Sequence, residues 1–190
     1  MASKQFNIVV AACKNRGIGI NGNLPWRLKN EMAFFKRITS TTKNTGRQNV
    51  VIMGRKTWES IPTKFKPLAN RINIVLSRTM QKNQDSPDGL HICKSLEDAL
   101  NLVTSESLQD KVEGLFIIGG SSLYNEAFTS PHCHRIYFTN VMADFECDTF
   151  LPEWDSKVFK QVELEDVDSD IQSENGISYK YEVYEKVAEL

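Results

Sequence analysis

The chain is 190 residues long, 41% hydrophobic and 25% charged, with a formal net charge of −1. That length suits one domain with a core large enough to fold without disulfide or metal staples, and the near-zero charge gives no electrostatic reason to expect nucleic acid or an anionic membrane surface as partner. No apolar run approaches a membrane span and the N-terminus lacks a signal-peptide pattern, so the cytosol is the expected location.

Residues 6–13 are largely apolar, with β-branched Ile8, Val9 and Val10, and read as a buried strand. Residues 14–26 carry Gly17, Gly19, Gly22 and Pro25 around apolar Ile18, Ile20, Leu24 and Trp26, which predicts a long, mobile loop acting as a lid. Residues 28–39 carry an amphipathic helix pattern. At about 100° per residue, Leu28, Met32, Phe34, Phe35 and Ile38 share a face opposite Lys29, Asn30, Ala33, Lys36 and Arg37. Glu31 projects into the middle of the apolar face. A carboxylate there either pairs or holds its proton, because an unpaired buried charge is costly. Burial raises a carboxyl pKa towards neutrality, which suits proton transfer. The alternative is a helix edge, with Glu31 paired to a neighbouring lysine.

Residues 40–48 read as a polar surface loop, and 49–53 as a second buried strand. Ile61-Pro62 and Pro67-Leu68 bracket a turn before a strand over 71–76. Residues 82–89 form an Asn/Asp/Pro/Gly loop and 90–93 a short strand. Ser95 opens a helix with Asp98 three residues on, a variant of the capping box. Strands follow at 115–118 and 135–141, separated by a helix that ends at Phe128. Residues 145–154 look irregular and aromatic. Residues 159–164 and 178–185 alternate like antiparallel strands, joined by a turn through 166–176. The pattern predicts a single α/β domain with a central mixed, mostly parallel sheet, an antiparallel C-terminal end and about four flanking helices.

Three strand-to-turn junctions carry phosphate-type chemistry: Gly54-Arg55-Lys56-Thr57, Leu76-Ser77-Arg78 and Gly119-Gly120-Ser121-Ser122. Ligands of open α/β sheets bind at the carboxyl ends of strands, and backbone N–H groups at a helix start favour phosphate. Arg55 and Arg78, with Lys94, supply surplus cation for a further monoester phosphate, the mark of NADP rather than NAD. The alternative is ordinary turn chemistry. Gly17, Gly19 and Gly22 spell GxGxxG, but Asn23-Leu24-Pro25 follows instead of a helix and no acid lies about 20 residues on. These glycines read as lid hinges. No P-loop or nucleophile elbow is present, and no histidine lies beside a candidate nucleophile. Cys133 sits between His132 and His134, but no second cluster completes a zinc set, so Cys13, Cys93, Cys133 and Cys147 read as free thiols. Without a hydrolytic or metal set, the chemistry falls to an organic cofactor. Arg71, opening a strand, is either a bidentate carboxylate clamp or a structural arginine.

Gly17-Ile18-Gly19, Asn23-Leu24-Pro25-Trp26, Glu31 with Phe35, Met53-Gly54-Arg55-Lys56-Thr57-Trp58, Leu76-Ser77-Arg78 and Ile118-Gly119-Gly120-Ser121 together closely resemble dihydrofolate reductase. The resemblance runs from residue 6 to about 186 and is to the animal, single-function form. It implies NADPH-dependent reduction of 7,8-dihydrofolate to 5,6,7,8-tetrahydrofolate, by a cytoplasmic monomer that antifolates such as methotrexate also bind. Glu31 matches the acid that meets the pterin 2-amino group and N3, Thr139 the threonine bonded to it, and Trp26 the indole near its ordered water. Leu24, Trp26, Glu31, Tyr124 and Thr139 thereby become the expected catalytic set. Val9 and Ile118 match positions whose carbonyls face the pterin. Ala11, Leu24, Met32, Phe35, Ile61, Pro62 and Leu68 match its walls and those around the aminobenzoyl group, and Arg71 matches the clamp on the glutamate α-carboxylate. Ala11, Ile18, Gly22, Gly54, Arg55, Lys56, Thr57, Leu76, Ser77, Arg78, Lys94, Gly119, Gly120, Ser121, Ser122, Leu123 and Tyr124 match the NADPH surface, with a cis Gly119–Gly120 peptide. Arg27 replaces a longer Pro-Pro stretch of the vertebrate pattern, Met32 takes a place often held by Phe or Leu, and Lys94 stands where arginine is common. A related NADPH reductase acting on another heterocycle, and a non-catalytic folate- or nucleotide-binding protein, are the alternative readings.

Overall fold

A computed structural model describes residues 3–188. In chain order the elements are β1 (Phe6–Ala12), β2 (Gly17–Gly19), α1 (Lys29–Ser40), β3 (Gln48–Gly54), α2 (Arg55–Ser60), a 3-10 turn (Thr63–Phe65), β4 (Arg71–Leu76), β5 (Leu90–Cys93), α3 (Leu96–Val103), β6 (Val112–Ile117), α4 (Ser121–Phe128), β7 (Cys133–Val141), β8 (Thr149–Phe150), β9 (Phe159–Val162), β10 (Gln172–Glu174) and β11 (Ile177–Lys186).

The main sheet runs β10-β11-β7-β1-β6-β3-β4-β5, with β9 also paired to β11. From β7 to β5 every pairing is parallel, while β11 is antiparallel to β7 and to both β9 and β10. The mixed, mostly parallel α/β architecture with an antiparallel C-terminal end is the one the sequence predicts. Parallel strands must be covered on both faces, and the side-chain alternation does this. Phe6, Ile8, Val10 and Ala12 of β1, with Val50 and Ile52 of β3, face a core beneath α3 and α4. Val9, Val51 and Met53 face a second core beneath α1 and α2, formed with Leu28, Phe34, Ile38 and Trp58. Each such fully buried aliphatic or aromatic side chain stabilises the fold by roughly 1.5–3 kcal/mol.

The local stop and start signals act as chemistry requires. Ser95 Oγ accepts the Asp98 N–H at 3.1 Å at the start of α3. Helix α1 has no such local cap at Leu28. Glu174, on β10, instead accepts the N–H groups of Lys29 and Asn30 at 2.6 and 2.9 Å. A carboxylate there also complements the positive end of the helix dipole.

Three expectations are corrected. Residues 14–26 are not a free loop, because β2 pairs with β8, Arg16 donates to the carbonyls of Leu151 and Pro152, and the Asn21 N–H meets the Asp148 carboxylate at 2.9 Å. Gly17 and Gly19 pair with Phe150 and Thr149, and a Cβ on Gly17 would lie 2.2 Å from Cys147 Sγ. Of the three, Gly22 keeps open space around it, at a φ of +76° that favours glycine. Residues 145–154 are not wholly irregular, since they contain β8, and the turn through 166–176 contains β10. Met32, on the expected apolar stripe of α1, is 51% exposed and lines a cavity beside Glu31, while Phe34 and Ile38 of that stripe are buried.

Candidate active site

Helix α1 lies on the sheet face that carries the odd-numbered residues of β3 and β4. Two charges on that face are buried without an opposite charge. Glu31, near the start of α1, is 6% exposed. Its Oε1 accepts the Thr139 hydroxyl at 3.0 Å, and among the described residues it has no cationic partner, so the lysine-paired alternative does not hold. Thr139 reaches it because β7 pairs with β1, placing Thr139 beside Ala11. Burial pushes the Glu31 carboxyl up to about 6, and the Thr139 bond holds it from rising further.

Arg71, at the start of β4, is 8% exposed. Its Nε donates to Ala69 O and its Nη1 to Thr39 Oγ1, each at 2.9 Å. Burial lowers its pKa, yet a guanidinium stays charged, and no carboxylate pairs with it among the described residues. Buried arginine and glutamate are rare unless paired. The axial rise between the Glu31 and Thr39 turns of α1 is about 12 Å at 1.5 Å per residue. The two charges thus lie towards opposite ends of α1, Glu31 in its first turn and Arg71 against Thr39 in its last.

The same face carries half-buried apolar side chains. Ala11, Phe35, Ile61, Leu68 and Ile118 pack half-buried against the core under α1, with Pro62 exposed beside Ile61. Around Glu31 a cavity of about 440 Å³ is lined by Leu24, Trp26, Leu28 and Met32, with exposed Arg27, Lys29 and Asn175. Trp26 is buried, and its Nε1 meets no acceptor among the described residues. A buried indole N–H without a partner is a donor for a polar group in the site. Tyr124 donates its hydroxyl to the Val9 carbonyl at 2.9 Å. Burial pushes this phenol up, so it stays neutral and supports β1 from beneath.

The three strand-to-turn junctions come together because β6, β3 and β4 are neighbours. The Gly54 N–H donates to Gly119 O at 2.8 Å, and a Cβ on Gly120 would sit 3.5 Å from Thr57 Oγ1. The Gly119–Gly120 peptide is cis and Gly119 has φ +122°, where any side chain would be strained. Helices α2 and α4 start at Gly54 and Gly120 without side-chain caps, which leaves first-turn N–H groups for an anion. Lys56, Arg78 and Lys94 are exposed along this edge, beside Leu76 and Ser77. Some residues of the set have other commitments: Arg55 is held by Glu59 and Thr79, Ser121 donates to Phe150 O at 2.8 Å, and Leu123 is buried in the core with Ile18 packed against that core. Ser122 and Gly22 are exposed.

Sequence reasoning missed the rim residues Arg27, Lys29 and Asn175. The Asn175 side chain donates to Arg27 O at 3.1 Å across 148 positions. The signal available was the β-hairpin turn at Asn175-Gly176, which sequence alone does not aim at a site.

The dihydrofolate reductase family model matches residues 5–186. A dihydrofolate reductase of Sus scrofa is 50% identical over 186 residues, covering 96% of this chain and 98% of that protein. One of Aedes albopictus is 44% identical over 184 residues, covering 97% and 98%. Among solved structures, Schistosoma mansoni dihydrofolate reductase superposes with a TM-score of 0.86 at 41% identity, covering 98% of this chain and all of that one. Sequence and fold agree: the chain belongs to the dihydrofolate reductase family of oxidoreductases.

Proposed function

We propose that this chain reduces 7,8-dihydrofolate to 5,6,7,8-tetrahydrofolate with NADPH, the known reaction of its family. The observation that carries this reading is the pair of oppositely charged, buried and unpaired groups, Glu31 and Arg71, at the two ends of α1. Dihydrofolate presents N–H donors on its pterin ring and a carboxylate on its glutamate tail, so one molecule satisfies both.

In this reading Glu31 accepts the 2-amino group and N3 of the pterin, while the Thr139 hydroxyl fixes the orientation of the carboxylate. The carbonyls of Val9 and Ile118 border the ring. Leu24, Met32, Phe35, Ile61, Pro62 and Leu68 enclose the ring and the aminobenzoyl group and exclude bulk water, which strengthens each polar contact inside. Arg71 pairs with the α-carboxylate in bidentate fashion. The family reaction adds a hydride at pterin C6 and a proton at N5, and no side chain has to touch N5. Glu31, at about 6, polarises the ring. The Trp26 N–H orders a polar atom beside it, which is a route for water to bring the proton.

The cofactor fits the glycine-lined edge. The uncapped helix starts at Gly54 and Gly120 suit a pyrophosphate, and Arg55, Lys56, Arg78 and Lys94 suit the extra phosphate that separates NADPH from NADH. Thr57, Leu76, Ser77, Ser121, Ser122 and Tyr124 complete that surface, with Ala11, Ile18 and Gly22 where it meets the pterin. NADPH, when bound there, supplies the hydride. The same reading makes the protein a cytosolic monomer inhibited by methotrexate, and its free thiols suit a reducing compartment. The test is the loss of NADPH absorbance on adding dihydrofolate, repeated with NADH and with methotrexate. Turnover with NADPH, weak use of NADH and arrest by methotrexate are expected. No consumption of NADPH with dihydrofolate refutes the proposal.

A further inference from the structure

Among the described residues six polar or charged side chains are buried: Glu31, Thr39, Asn49, Arg71, Asn73 and Thr139. Glu31 and Thr139 form one bonded pair. The other four form a second, connected network at the opposite end of α1. Arg71 Nη1 donates to Thr39 Oγ1 at 2.9 Å, and Thr39 gives its one hydroxyl proton to Phe35 O at 2.8 Å. Towards Arg71, Thr39 is therefore an acceptor only. Asn49 Nδ2 donates to the carbonyls of Thr39 and Thr41 at 3.1 and 3.0 Å, while its Oδ1 accepts the Gly114 N–H at 2.8 Å. The end of α1 is thereby tied to β3 and β6. Asn73 binds both the N–H and the carbonyl of Leu68, at 2.8 and 3.0 Å, and the Arg71 carbonyl at 3.0 Å.

This network orients a cation without neutralising it. Of the five guanidinium N–H donors, one goes to Ala69 O and one to Thr39. The remaining donors on Nη1 and Nη2 are the ones a carboxylate can take in a two-point pair. An arginine side chain held in one rotamer before binding has little freedom left to lose when the carboxylate arrives. A network built only for stability would gain more from an apolar residue at position 71 than from a buried, unpaired cation.

We propose that Thr39, anchored by Asn49, is a positioning residue that fixes the Arg71 guanidinium. It thereby sets the preference for carboxylate-bearing pterins over tail-free ones without touching the substrate. The inference rests on the reading of Arg71 as the carboxylate clamp. Thr39 acts on binding and not on the hydride step, since it lies two turns of helix from Glu31.

The test uses the full-length protein with saturating NADPH and two variants. Thr39→Val keeps the shape and removes the acceptor, while Thr39→Ser keeps the acceptor. Thr39→Val is expected to raise KM for dihydrofolate roughly tenfold, the scale of a lost charge-assisted hydrogen bond, with kcat within about twofold. Its affinity for a pterin lacking the glutamate tail stays at the parent value, and Thr39→Ser restores the parent KM. Thr39→Ala carries the same expectations and replaces the valine variant should that one fail to fold. Equal losses for both ligands, no loss for either, or a serine variant as impaired as valine overturns the positioning role. A parent protein that does not oxidise NADPH with dihydrofolate overturns the function itself, which is a separate outcome.

Discussion

Replacing Glu31 with glutamine should make the ligand-free protein more stable at pH 8 while impairing turnover. The carboxyl is 6% exposed and its pKa is raised from 4.5 to about 6, chiefly by burial. A carboxyl whose folded pKa exceeds its unfolded value binds its proton more tightly when folded. Its contribution to stability is complete below pH 4.5 and lost as pH climbs through 6. At 1.36 kcal/mol per pH unit, the parent loses about 2 kcal/mol across that window. Glu31→Gln cannot ionise, keeps an oxygen for the Thr139 hydroxyl, and escapes the loss. For a protein of this size, about 2–4 °C per kcal/mol converts the difference to a melting temperature higher by about 4–8 °C at pH 8, with little difference near pH 4. Thermal unfolding of both ligand-free proteins at the two pH values is the assay, with kcat for dihydrofolate measured alongside. A glutamine variant no more stable than its parent at pH 8, or one with the same advantage at both pH values, refutes the placement of a buried ionised acid. Equal turnover by the two proteins refutes the catalytic role of Glu31.

Three further outcomes follow from particular contacts. Thr139→Val removes the one bond that lowers the Glu31 pKa, so the acid limb of the activity profile should move above about pH 6, as a pH titration of kcat/KM will show. Arg71→Ala should weaken folate binding by roughly 10²-fold or more, as expected for loss of a desolvated two-point ion pair, with far less effect on a tail-free pterin; titration calorimetry with both ligands distinguishes these. Gly17→Ala forces a Cβ to 2.2 Å from Cys147 Sγ, so it should destabilise the β2–β8 pairing by about 1–3 kcal/mol and speed proteolysis within residues 14–26, without changing the unfolding of the main sheet.

The sequence carried the centre of the main sheet because β1, β3 and β4 are buried on both faces. The apolar, β-branched runs at Ile8–Val10 and Val50–Ile52, and Ile72, Ile74 and Val75 around Asn73, suit strands by their length and punctuation. Glu31 was legible for a related reason: a lone acid within an apolar helical stripe is a conflict that burial turns into chemistry. What stayed hidden depends on partners far along the chain. Strand β8 exists because Gly17 and Gly19 lie across from Thr149 and Phe150, and two residues carry no periodicity of their own. The cap on α1 comes from Glu174, some 145 positions away. Thr39 and Asn49 look like ordinary polar residues at a helix end and a strand start. Their role appears only when β3 and β4 are paired and Arg71 comes to lie beside them. Met32, an apolar residue on the expected face, borders the cavity beside Glu31.

The most direct measurement is a crystal structure of the protein with folate and oxidised NADP. The pterin amine is expected on the Glu31 carboxylate, the α-carboxylate on the free edge of Arg71, and the cofactor phosphates along the Gly54 and Gly120 turns. A ring bound away from Glu31, or an Arg71 that keeps only Ala69 and Thr39 as partners, would contradict it.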